Sequence, residues 1–540
     1  MLKTVINILG EMALSIKLRS SHRLSKLGWS YLDSNATKCT VRFIGLSRSS
    51  SNKKNILRLR DERMGFIQDV FPLGSASNIA EFLKNGNQTM YAGFDPTADS
   101  LHIGNLLVIM AMLQSQRAGH KVIALIGGAT AKIGDPSGKT SERPSLDDET
   151  LDSNIVGITE CLERIFSNHQ QLVSATNGSE FSDMTPIEIV NNNSWYKDIN
   201  IIDFLRTAGR KFRMGKMLSR DSVQARLSAG DTTDGGRPDP DGGLSFTEFT
   251  YQVFQAYDWF HLRHRYNCTI QLGGSDQMGN IATGHEFITK FDNSPDRFIL
   301  LRNSSEKFDG DTNNNDKLPA YGILLPLVTS ESGEKIGKSQ DGQKRIWLTA
   351  SKTSPFEFYQ YFLRLPDSQI EKMLYYYTLL PPTEIKDLMD RHQRQSEKRY
   401  PHTKLAELLT QLVHGPEGLN LATKATKMLY GSNELSEAEW IKQLSNLNES
   451  EMLAIFSQAR YTRMLFTPGI SIMEFALKIG CFSREKDAQR IISAGGFSIN
   501  QVKRTNIEEL LINGVHVLPN NLTLVRVGKK NYFIVEWTMY

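Results

Sequence analysis

The first apolar segments of the chain predict a strand, a helix and a second strand. Thr89–Phe94 is a short apolar run that predicts a strand, and Asp95–Ser100 has the Pro, Asp and Ser content of a turn. From Leu106 onward, apolar residues recur at the i, i+3, i+4 and i+7 positions of a helix, which Gly119 ends. Val122–Ile126 is continuously apolar, as in strands that are buried on both faces of a parallel sheet.

Small and acidic residues follow the predicted strands. Gly93 and Asp95 come at the end of the first, Gly127 follows the second, and the later strand Thr269–Leu272 leads into Gly273-Gly274. In an open α/β sheet, ligands bind beyond the carboxyl ends of the strands, where glycine lets the backbone approach closely. These three strand ends therefore predict one composite pocket.

Downstream, the pattern of the chain changes twice. Helical periodicity and fewer glycines mark the stretch from about Pro366 to Tyr461. Near the carboxyl terminus, Leu522–Val527 and Tyr532–Trp537 predict two strands of a hairpin whose charged turn contains Lys529 and Lys530. Two polar stretches, 228–243 and 303–317, cannot build a core and are expected to be surface insertions.

Charge is concentrated at the amino terminus. Residues 1–60 carry 12 Lys/Arg against Glu11 and Asp33, a balance of +10, whereas the whole chain is +4. This segment is rich in serine and begins with apolar residues interleaved with bases, the pattern of a mitochondrial transit peptide. A basic tail that binds nucleic acid nonspecifically is the alternative interpretation.

Composition excludes several other classes of protein. The chain is 40% hydrophobic and 23% charged, as globular proteins are, and no apolar run reaches the ~20 residues that cross a bilayer. The four cysteines are scattered without a CxxC pair, which argues against a disulfide framework or a zinc site. We therefore expect neither membrane insertion nor a protein-bound metal or organic cofactor.

Two segments have the chemistry of phosphate binding. His102 stands where the first turn meets a helix, and a helix amino terminus attracts phosphate. Lys335 and Lys338 lie in a glycine- and serine-rich loop that could close over a polyphosphate. Each has a plain alternative: a helix-capping histidine and a solvated basic loop. The Gly127–Lys139 run departs from the spacing of a P-loop.

A polar stripe occurs where a core helix would carry apolar residues. Tyr251, Gln255 and Asp258 share one face of a predicted helix, at i, i+4 and i+7. They could bind the ammonium and hydroxyl groups of a ligand, or they could face solvent. Asp276 and Gln277, at the end of the later strand, would add a carboxylate and an amide to the same pocket.

Together these segments resemble the class I tyrosyl-tRNA synthetases of the bacterial and organellar type. Five blocks carry the resemblance, in the family's order: Tyr91–Asn105, Gly127–Lys139, Phe246–Asp258, Gln271–Gln277 and Lys335–Ser339. The resemblance spans nearly everything after the leader. It implies an α/β fold with a Rossmann-like parallel-sheet catalytic domain (61–345, including a dimer-forming insertion), then an α-helical anticodon-binding domain (346–465) and a small α+β RNA-binding domain (466–540), after a leader of residues 1–60.

The resemblance also implies a role for each residue of the pocket. Tyr91 and Asp258 would bracket the phenolic hydroxyl of tyrosine, and Asp135, Tyr251 and Gln255 would hold its ammonium group. Asp95, Gly93 and Gln277 would surround the carboxylate and the adenylate, while Gly274 and Asp276 would bind the ribose of ATP. Asn192 would orient the pocket wall. His102 and Thr97 would stabilise the phosphates, and the pyrophosphate would be stabilised by Lys139, Arg143, Lys335, Lys338 and Ser339.

The sequence departs from the family pattern at two positions, and the resemblance also implies binding partners. Asn105 stands where bacterial members usually have a second histidine, and it can still donate to the ribose; Met278 replaces a common tryptophan. The resemblance implies a homodimer that takes L-tyrosine, ATP with Mg²⁺ and tRNA(Tyr) in the mitochondrial matrix. In the last domain, the residues expected to contact tRNA phosphates are Lys503, Arg504, Arg526, Lys529 and Lys530.

Two other functions remain open from the sequence. A tryptophan enzyme would share the fold, although Tyr91 and Asp258 suit a phenol better than an indole, whose N–H only donates. A catalytically inactive RNA-binding protein, or a second activity in intron splicing, is the other alternative. The presence of His102 and Asp276 favours retained catalysis.

Overall fold

The computed structural model describes most of the chain beyond the basic leader. The described residues are 54–138, 146–177, 184–229, 243–292, 294, 318–328, 345–430, 437–447, 451–452, 455, 459–528 and 531–538. Seven predicted site residues lie outside them: Lys139, Arg143, Lys335, Lys338, Ser339, Lys529 and Lys530. Nearly all of the first polar insertion and the whole of the second also lie outside the described ranges.

A six-stranded sheet forms the centre of the amino-terminal part. Its strands are β1 (Asp69–Phe71), β2 (Thr89–Phe94), β3 (Lys121–Ile126), β4 (Glu188–Asn191), β5 (Cys268–Gly274) and β6 (Tyr321–Leu325). They lie in the order β1-β6-β5-β2-β3-β4, and β1 alone is antiparallel to its neighbour. β2 lies at the centre, so its carboxyl end is flanked by those of β3 and β5, as predicted.

Helices connect and cover these strands. They are α1 (Leu59–Glu62), α2 (Ala76–Asn85), α3 (Ile103–Arg117), α4 (Asp148–Asn177), α5 (Asn193–Tyr196), α6 (Ile201–Thr207), α7 (Met214–Leu218), α8 (Asp221–Ala229), α9 (Phe246–Tyr266) and α10 (Met278–Asp292). The helix α3 starts immediately after the loop that leaves β2, which brings its amino terminus to the carboxyl edge of the sheet. Among the described helices, none is long and apolar enough to span a membrane.

The packed fold begins before the end of the predicted leader. Ile56 and Leu59 are buried in the core, although they fall within residues 1–60. The guanidinium group of Arg63, which is 4% exposed, donates to the backbone carbonyls of Tyr375, Thr378 and Leu380. This short segment therefore connects the amino-terminal part to a helix more than 300 residues later in the chain.

A helical part follows the sheet: α11 (Pro355–Leu363), α12 (Asp367–Tyr377), α13 (Pro382–Arg394), α14 (Tyr400–Tyr430) and α15 (Glu437–Ser445). The helix α14 is kinked at Gly415, where φ is +75° and Pro416 follows. Phe358 and Leu405 of these helices belong to the same buried cluster as Leu106 and Met110 of α3. The helices and the sheet therefore share one core.

A polar contact joins three of these helices. The Nε2 atoms of His392 and His402 lie 3.5 and 3.2 Å from Oδ1 of Asp367. His402 Nε2 is also 3.1 Å from the carbonyl of Leu365, and the guanidinium of Arg399 lies 3.7 Å from the same Asp367 oxygen. These contacts run between three helices, so we interpret the cluster as one that holds the helices together.

The carboxyl-terminal part is a small α+β unit, as predicted. Its elements are β7 (Arg460–Leu465), α16 (Ile472–Lys478), α17 (Glu485–Ser493), β8 (Phe497–Ile499), β9 (Val502–Lys503), β10 (Leu522–Val527) and β11 (Asn531–Thr538). The strand order is β7-β11-β10-β8-β9, with the predicted hairpin β10-β11 at its centre. β7 pairs in parallel with β11, so the sheet begins six residues before the predicted domain boundary at 466.

Candidate functional site

A cavity of about 360 Å³ lies at the carboxyl ends of β2, β3 and β5. It brings together predicted residues from all the described blocks. Those that line it are Tyr91, Gly93, Asp95, Thr97, His102, Asn105, Asp135, Tyr251, Gln255, Asp258, Gly274, Asp276 and Gln277. The composite pocket predicted from the strand ends is therefore present, and the polar stripe of α9 faces it rather than solvent.

His102 is held by a capping box at the start of α3. Its Nδ1 accepts from the amide of Gly104 at 3.0 Å, and Oδ1 of Asn105 accepts from the amide of His102 at 3.1 Å. An Nδ1 that accepts carries no proton, so the neutral ring has its N–H at Nε2. His102 is thus both a capping residue and a hydrogen-bond donor, and Asn105 still has its amide protons to offer a ligand.

Asp95 is fixed by two hydroxyl groups after β2. Tyr251 donates to its Oδ2 at 2.8 Å, and Thr130 donates to its Oδ1 at 2.8 Å. Gly127 makes room for this contact, because a Cβ there would lie 2.0 Å from Oδ1 of Asp95. The glycine after β3 is therefore required for the position of the carboxylate after β2.

Asp135 is a second carboxylate of the cavity that is held by hydrogen bonds. Gln277 donates to its Oδ2 at 2.9 Å, and the amide of Ser137 donates to its Oδ1 at 3.0 Å. Asn280 on α10 donates to Oε1 of Gln277 at 3.1 Å and lies 3.4 Å from Asp135. Two carboxylates held in this way suit the ammonium group of an amino acid.

Asp258 is the most buried acid of the site, at 2% exposure. Its Oδ1 accepts from Nε1 of Trp195 at 3.0 Å and from the hydroxyl of Tyr196 at 2.8 Å. Its Oδ2 accepts from Nδ2 of Asn192 at 3.0 Å. Asn192 does not line the cavity. It lies behind Asp258 and Thr130, where it can orient the wall as the sequence suggested.

Burial and hydrogen bonding have opposite effects on the pKa of the Asp258 carboxyl. The pKa of this carboxyl is raised from 3.8 to about 7, because burial, with a smaller contribution from Asp95, outweighs the three donors that lower it. Burial and the neighbouring Asp258 raise the pKa of the Tyr91 phenol well above 10. Near neutral pH the cavity therefore offers a phenol that keeps its proton beside a carboxyl that can lose it.

Three polar atoms of the cavity are buried and have no hydrogen-bond partner among the described residues. They are the hydroxyl of Tyr91, Oε1 of Gln255 and Oε1 of Gln271. A buried polar group without a partner costs about 1–3 kcal/mol, so clusters of such groups are rare in stable folds. Their convergence on one cavity with Asp258 indicates a site for a polar ligand.

Two residues that line the cavity, Arg345 and Trp347, were not predicted from the sequence. The backbone of 346–348 bonds to that of 101–103 through Ile103 N to Ile346 O and Leu348 N to Leu101 O. The ring of Trp347 lies edge-on to His102 at 6.2 Å, and Arg345 lies over Trp347 at 5.1 Å. Sequence periodicity gives no signal for two segments this far apart.

The predicted RNA-contacting residues differ in what they can offer. Lys503 is exposed on β9. Arg504 is instead paired with Glu509 at 2.8 Å, so its charge is partly neutralised. Arg526 is half-buried on β10, and its Nε is buried without a partner among the described residues. Of these three, Lys503 is the most accessible to a phosphate.

Known proteins resemble this chain over most of its length. The family described as tRNA synthetases class I (W and Y) matches residues 83–431. The mitochondrial tyrosine–tRNA ligase of Drosophila melanogaster is 45% identical over 491 residues, covering 91% of this chain and 96% of its own. The human mitochondrial tyrosine–tRNA ligase is 39% identical over 499 residues, covering 92% and 94%.

Solved structures agree with these relatives. A C-terminally truncated mitochondrial tyrosyl-tRNA synthetase of Aspergillus nidulans superposes with a TM-score of 0.58 at 28% identity, covering 71% of this chain and 98% of its own. The corresponding Coccidioides posadasii structure has a TM-score of 0.54 at 32% identity, covering 68% and 90%. The chain therefore belongs to the tyrosyl-tRNA synthetases of the class I family.

Proposed function

We propose that this chain joins L-tyrosine to tRNA(Tyr) in the mitochondrial matrix. In the first step, a carboxylate oxygen of tyrosine attacks the α-phosphorus of ATP, and the bond to the β-phosphate breaks to release pyrophosphate. In the second step, a hydroxyl of the terminal tRNA ribose attacks the carbonyl carbon of the adenylate and releases AMP. The observation that supports this proposal most strongly is the pair of buried residues Tyr91 and Asp258 in the cavity.

Tyrosine recognition follows from the hydrogen-bonding capacity of that pair. The substrate hydroxyl accepts from Tyr91, whose phenol has no partner among the described residues, and donates to the carboxylate of Asp258. Phenylalanine would leave the buried hydroxyl of Tyr91 without a partner and one acceptor position of Asp258 empty, and this costs more free energy than the loss of a methylene contact. Tyrosyl-tRNA synthetases are known to reject phenylalanine in this way, so the large selectivity expected is a property of the family and not of this chain alone.

Adenylation needs positioning and charge stabilisation rather than an acid or a base. Nε2 of His102 and the hydroxyl of Thr97 would donate to phosphate oxygens at the start of α3. The ribose would bind at Gly274 and Asp276, and Arg345 would add a positive charge to the described part of the site. Lys139, Arg143, Lys335, Lys338 and Ser339 remain proposed pyrophosphate contacts outside the described residues.

Mg²⁺ is expected to enter with ATP. The side chains around His102 include the hydroxyl of Thr97 and the amide of Asn105, which suit phosphate oxygens. Mg²⁺ usually keeps several waters and is held through substrate phosphates rather than by a protein cage. These donors are therefore compatible with a metal bound through the nucleotide, where it would neutralise phosphate charge.

A homodimer would bury an apolar surface between residues 201 and 246. Large apolar side chains are exposed there: Ile201 60%, Ile202 66%, Leu205 54%, Met214 59% and Phe246 79%. Exposed apolar side chains concentrated in one region are typical of a protein interface. We propose a second copy of the chain as the partner, since the family resemblance implies a homodimer with an insertion of the catalytic domain at its interface.

The other proposed assignments concern tRNA and location. The helices α11–α15 would bind the anticodon region, and the carboxyl-terminal sheet would contact tRNA phosphates, with Lys503 as the exposed one of the three described residues predicted to bind RNA. The basic, serine-rich leader supports import into mitochondria, in line with the mitochondrial relatives in fly and human.

Amino-acid-dependent exchange of pyrophosphate into ATP tests the proposal. Purified chain should support exchange with tyrosine and far less with phenylalanine or tryptophan, and it should charge mitochondrial tRNA with labelled tyrosine. Asp258→Ala should abolish tyrosine-dependent exchange while the melting curve shows a folded protein. Exchange with tryptophan but not with tyrosine would contradict the assignment.

A further inference from the structure

Tyr196 contacts the buried carboxylate from the side opposite the cavity. It ends α5, one residue after Trp195, and does not line the cavity. Its hydroxyl lies 2.8 Å from Oδ1 of Asp258 and 2.9 Å from the carbonyl of Phe254. Its ring packs edge-on to Phe254 at 5.4 Å, so the hydroxyl is held in place by the packing of the ring.

The single proton of this hydroxyl goes to Asp258. Phe254 lies in α9, where its carbonyl already accepts from the amide of Asp258 four residues later. An ionised carboxylate is a stronger acceptor than a carbonyl, and 2.8 Å suits a charge-assisted hydrogen bond. The carbonyl of Phe254 is therefore the secondary partner.

The donors around Asp258 use most of its acceptor capacity. Each carboxylate oxygen has two lone pairs. Trp195 and Tyr196 occupy both on Oδ1, and Asn192 occupies one on Oδ2. One acceptor position remains, on Oδ2.

We propose that Tyr196 is a positioning residue of the tyrosine site: with Trp195 it saturates Oδ1 of Asp258, so that the substrate hydroxyl has a single acceptor position, on Oδ2. This inference rests on the proposed function. Tyr196 acts through Asp258 and has no contact with the reacting atoms. It makes the direction of the acceptor, and not merely its presence, a determinant of selectivity for tyrosine.

The same contact has an effect on charge. The hydrogen bond from Tyr196 favours the ionised carboxylate and lowers the pKa of Asp258, against burial. Asp95 is the acidic group that raises this pKa, and the phenols of Tyr91, Tyr196 and Tyr257 also face the carboxylate. These phenols keep their protons because burial raises the pKa of each, so they contribute no negative charge near neutral pH.

Tyr196→Phe tests the inference, because it removes one oxygen and leaves the ring contacts. At pH 7 we expect the KM for tyrosine to rise about tenfold, as for the loss of one hydrogen bond to a charged group, while kcat and the KM for ATP stay within about twofold. The midpoint of the pH dependence of the tyrosine KM should move to higher pH, so that much of the affinity returns at pH 9.

Two further variants separate positioning from stability. Trp195→Phe removes the other donor to Oδ1 and should shift the pH profile in the same direction. Tyr376→Phe removes a partly buried phenol that donates to the carbonyl of Met64, distant from the cavity, and should leave all kinetic constants unchanged. Thermal melting of each variant reports whether the fold is intact.

The outcomes are distinguishable. A Tyr196→Phe protein with the wild-type tyrosine KM and pH profile would overturn this inference alone. A KM that rises equally at every pH, together with a lowered melting temperature, would show a structural role and would also overturn it. A folded wild-type chain that supports no tyrosine-dependent exchange would overturn the proposed function, and this inference with it.

Discussion

Asp258 is the residue of the site whose charge changes with pH near neutrality. Burial raises its pKa to about 7, whereas tyrosine recognition requires the ionised form as the acceptor. The folded chain binds this proton more tightly than the unfolded chain, whose carboxyl has its ordinary pKa of 3.8. Stability from this group is therefore lost as the pH rises from about 4 to about 7.

Tyrosine affinity should have the opposite pH dependence. As the pH falls from 8 to 6, Asp258 changes from mostly ionised to mostly protonated. Because the protonated form cannot accept the substrate's hydrogen bond, we expect the dissociation constant for tyrosine to rise about tenfold. Equilibrium binding of tyrosine at constant ionic strength measures this. The ATP site is the internal control, and a tyrosine affinity that is flat across this range would contradict an acceptor role for Asp258.

The hydroxyl of Tyr91 should affect binding and stability in opposite directions. Tyr91→Phe removes a buried group without a partner among the described residues, so the free energy of unfolding should stay equal or rise by about 1 kcal/mol. The affinity for tyrosine should nevertheless fall about tenfold, because the substrate hydroxyl loses its donor. Chemical denaturation and tyrosine binding check the two effects, and a clear loss of stability would show that the hydroxyl has a structural partner.

The residues that line the cavity were easier to predict from the sequence than the residues that hydrogen-bond to them from behind. Asp95 could be found because it follows a strand and Asp258 because it shares a helix face with Tyr251 and Gln255, whereas Tyr91, inside β2, was indicated only by the family resemblance. The donors Trp195 and Tyr196 lie on a one-turn helix without periodicity, and Trp347 reaches His102 from a segment 245 residues away by backbone pairing. Contacts of this kind depend on tertiary packing, which no local pattern encodes.

At the scale of elements, a buried ion pair connects α8 to α9. Nη2 of Arg226 lies 2.8 Å from Oε2 of Glu248, and the two side chains are 3% and 2% exposed. Arg226 also donates to the carbonyl of Gly243. The pair thus joins the two ends of the segment that contains the first polar insertion, next to the start of α9, which carries Tyr251 and Asp258.

Removing one partner of this ion pair should lower the free energy of unfolding more than replacing both partners with apolar residues. Arg226→Met leaves the carboxylate of Glu248 buried without its cation, and we expect a loss of about 3–5 kcal/mol in the free energy of unfolding. The double variant Arg226→Met with Glu248→Leu should recover most of that loss. Urea denaturation of both variants measures it, and equal destabilisation by the single and double changes would contradict the argument.

Strands were predictable where burial was complete. β2 has the predicted limits, and β3 and β5 contain the predicted runs, because most residues of these strands are buried and their sequences are largely apolar. β4 and β7 were not predicted. Every residue of β4 is half-buried, and β7 has only half-buried and exposed residues, so neither has a strong sequence signal.

At the scale of the whole molecule, the sheet and the helical part are held by one core. Tyr377 of α12 donates to the carbonyl of Ile103 in α3, the helix that His102 caps. The falling glycine content marked where helices begin, but it carried no information about which faces pack on the sheet. The proposed boundary between catalytic and anticodon-binding domains therefore crosses a shared core.

The proposed homodimer can be tested on its exposed apolar surface. Ile202→Glu places a charge on a side chain that is 66% exposed, and we expect the chain to become monomeric at micromolar concentration, because an unpaired charge would be buried in the interface. Ile512→Glu is the matched control, since Ile512 is 54% exposed in the carboxyl-terminal unit. Sedimentation velocity measures the mass, and a wild-type monomer would contradict the dimer.

The position of Arg63 limits how the chain can be processed. Its guanidinium group satisfies three carbonyls at the end of α12, and Ile56 and Leu59 fill the core beside it. If the leader is cut off after import, a protease that trimmed past these residues would leave those carbonyls without their donor and open a gap in the interior. If a leader is removed, we therefore expect the new amino terminus to lie upstream of Ile56.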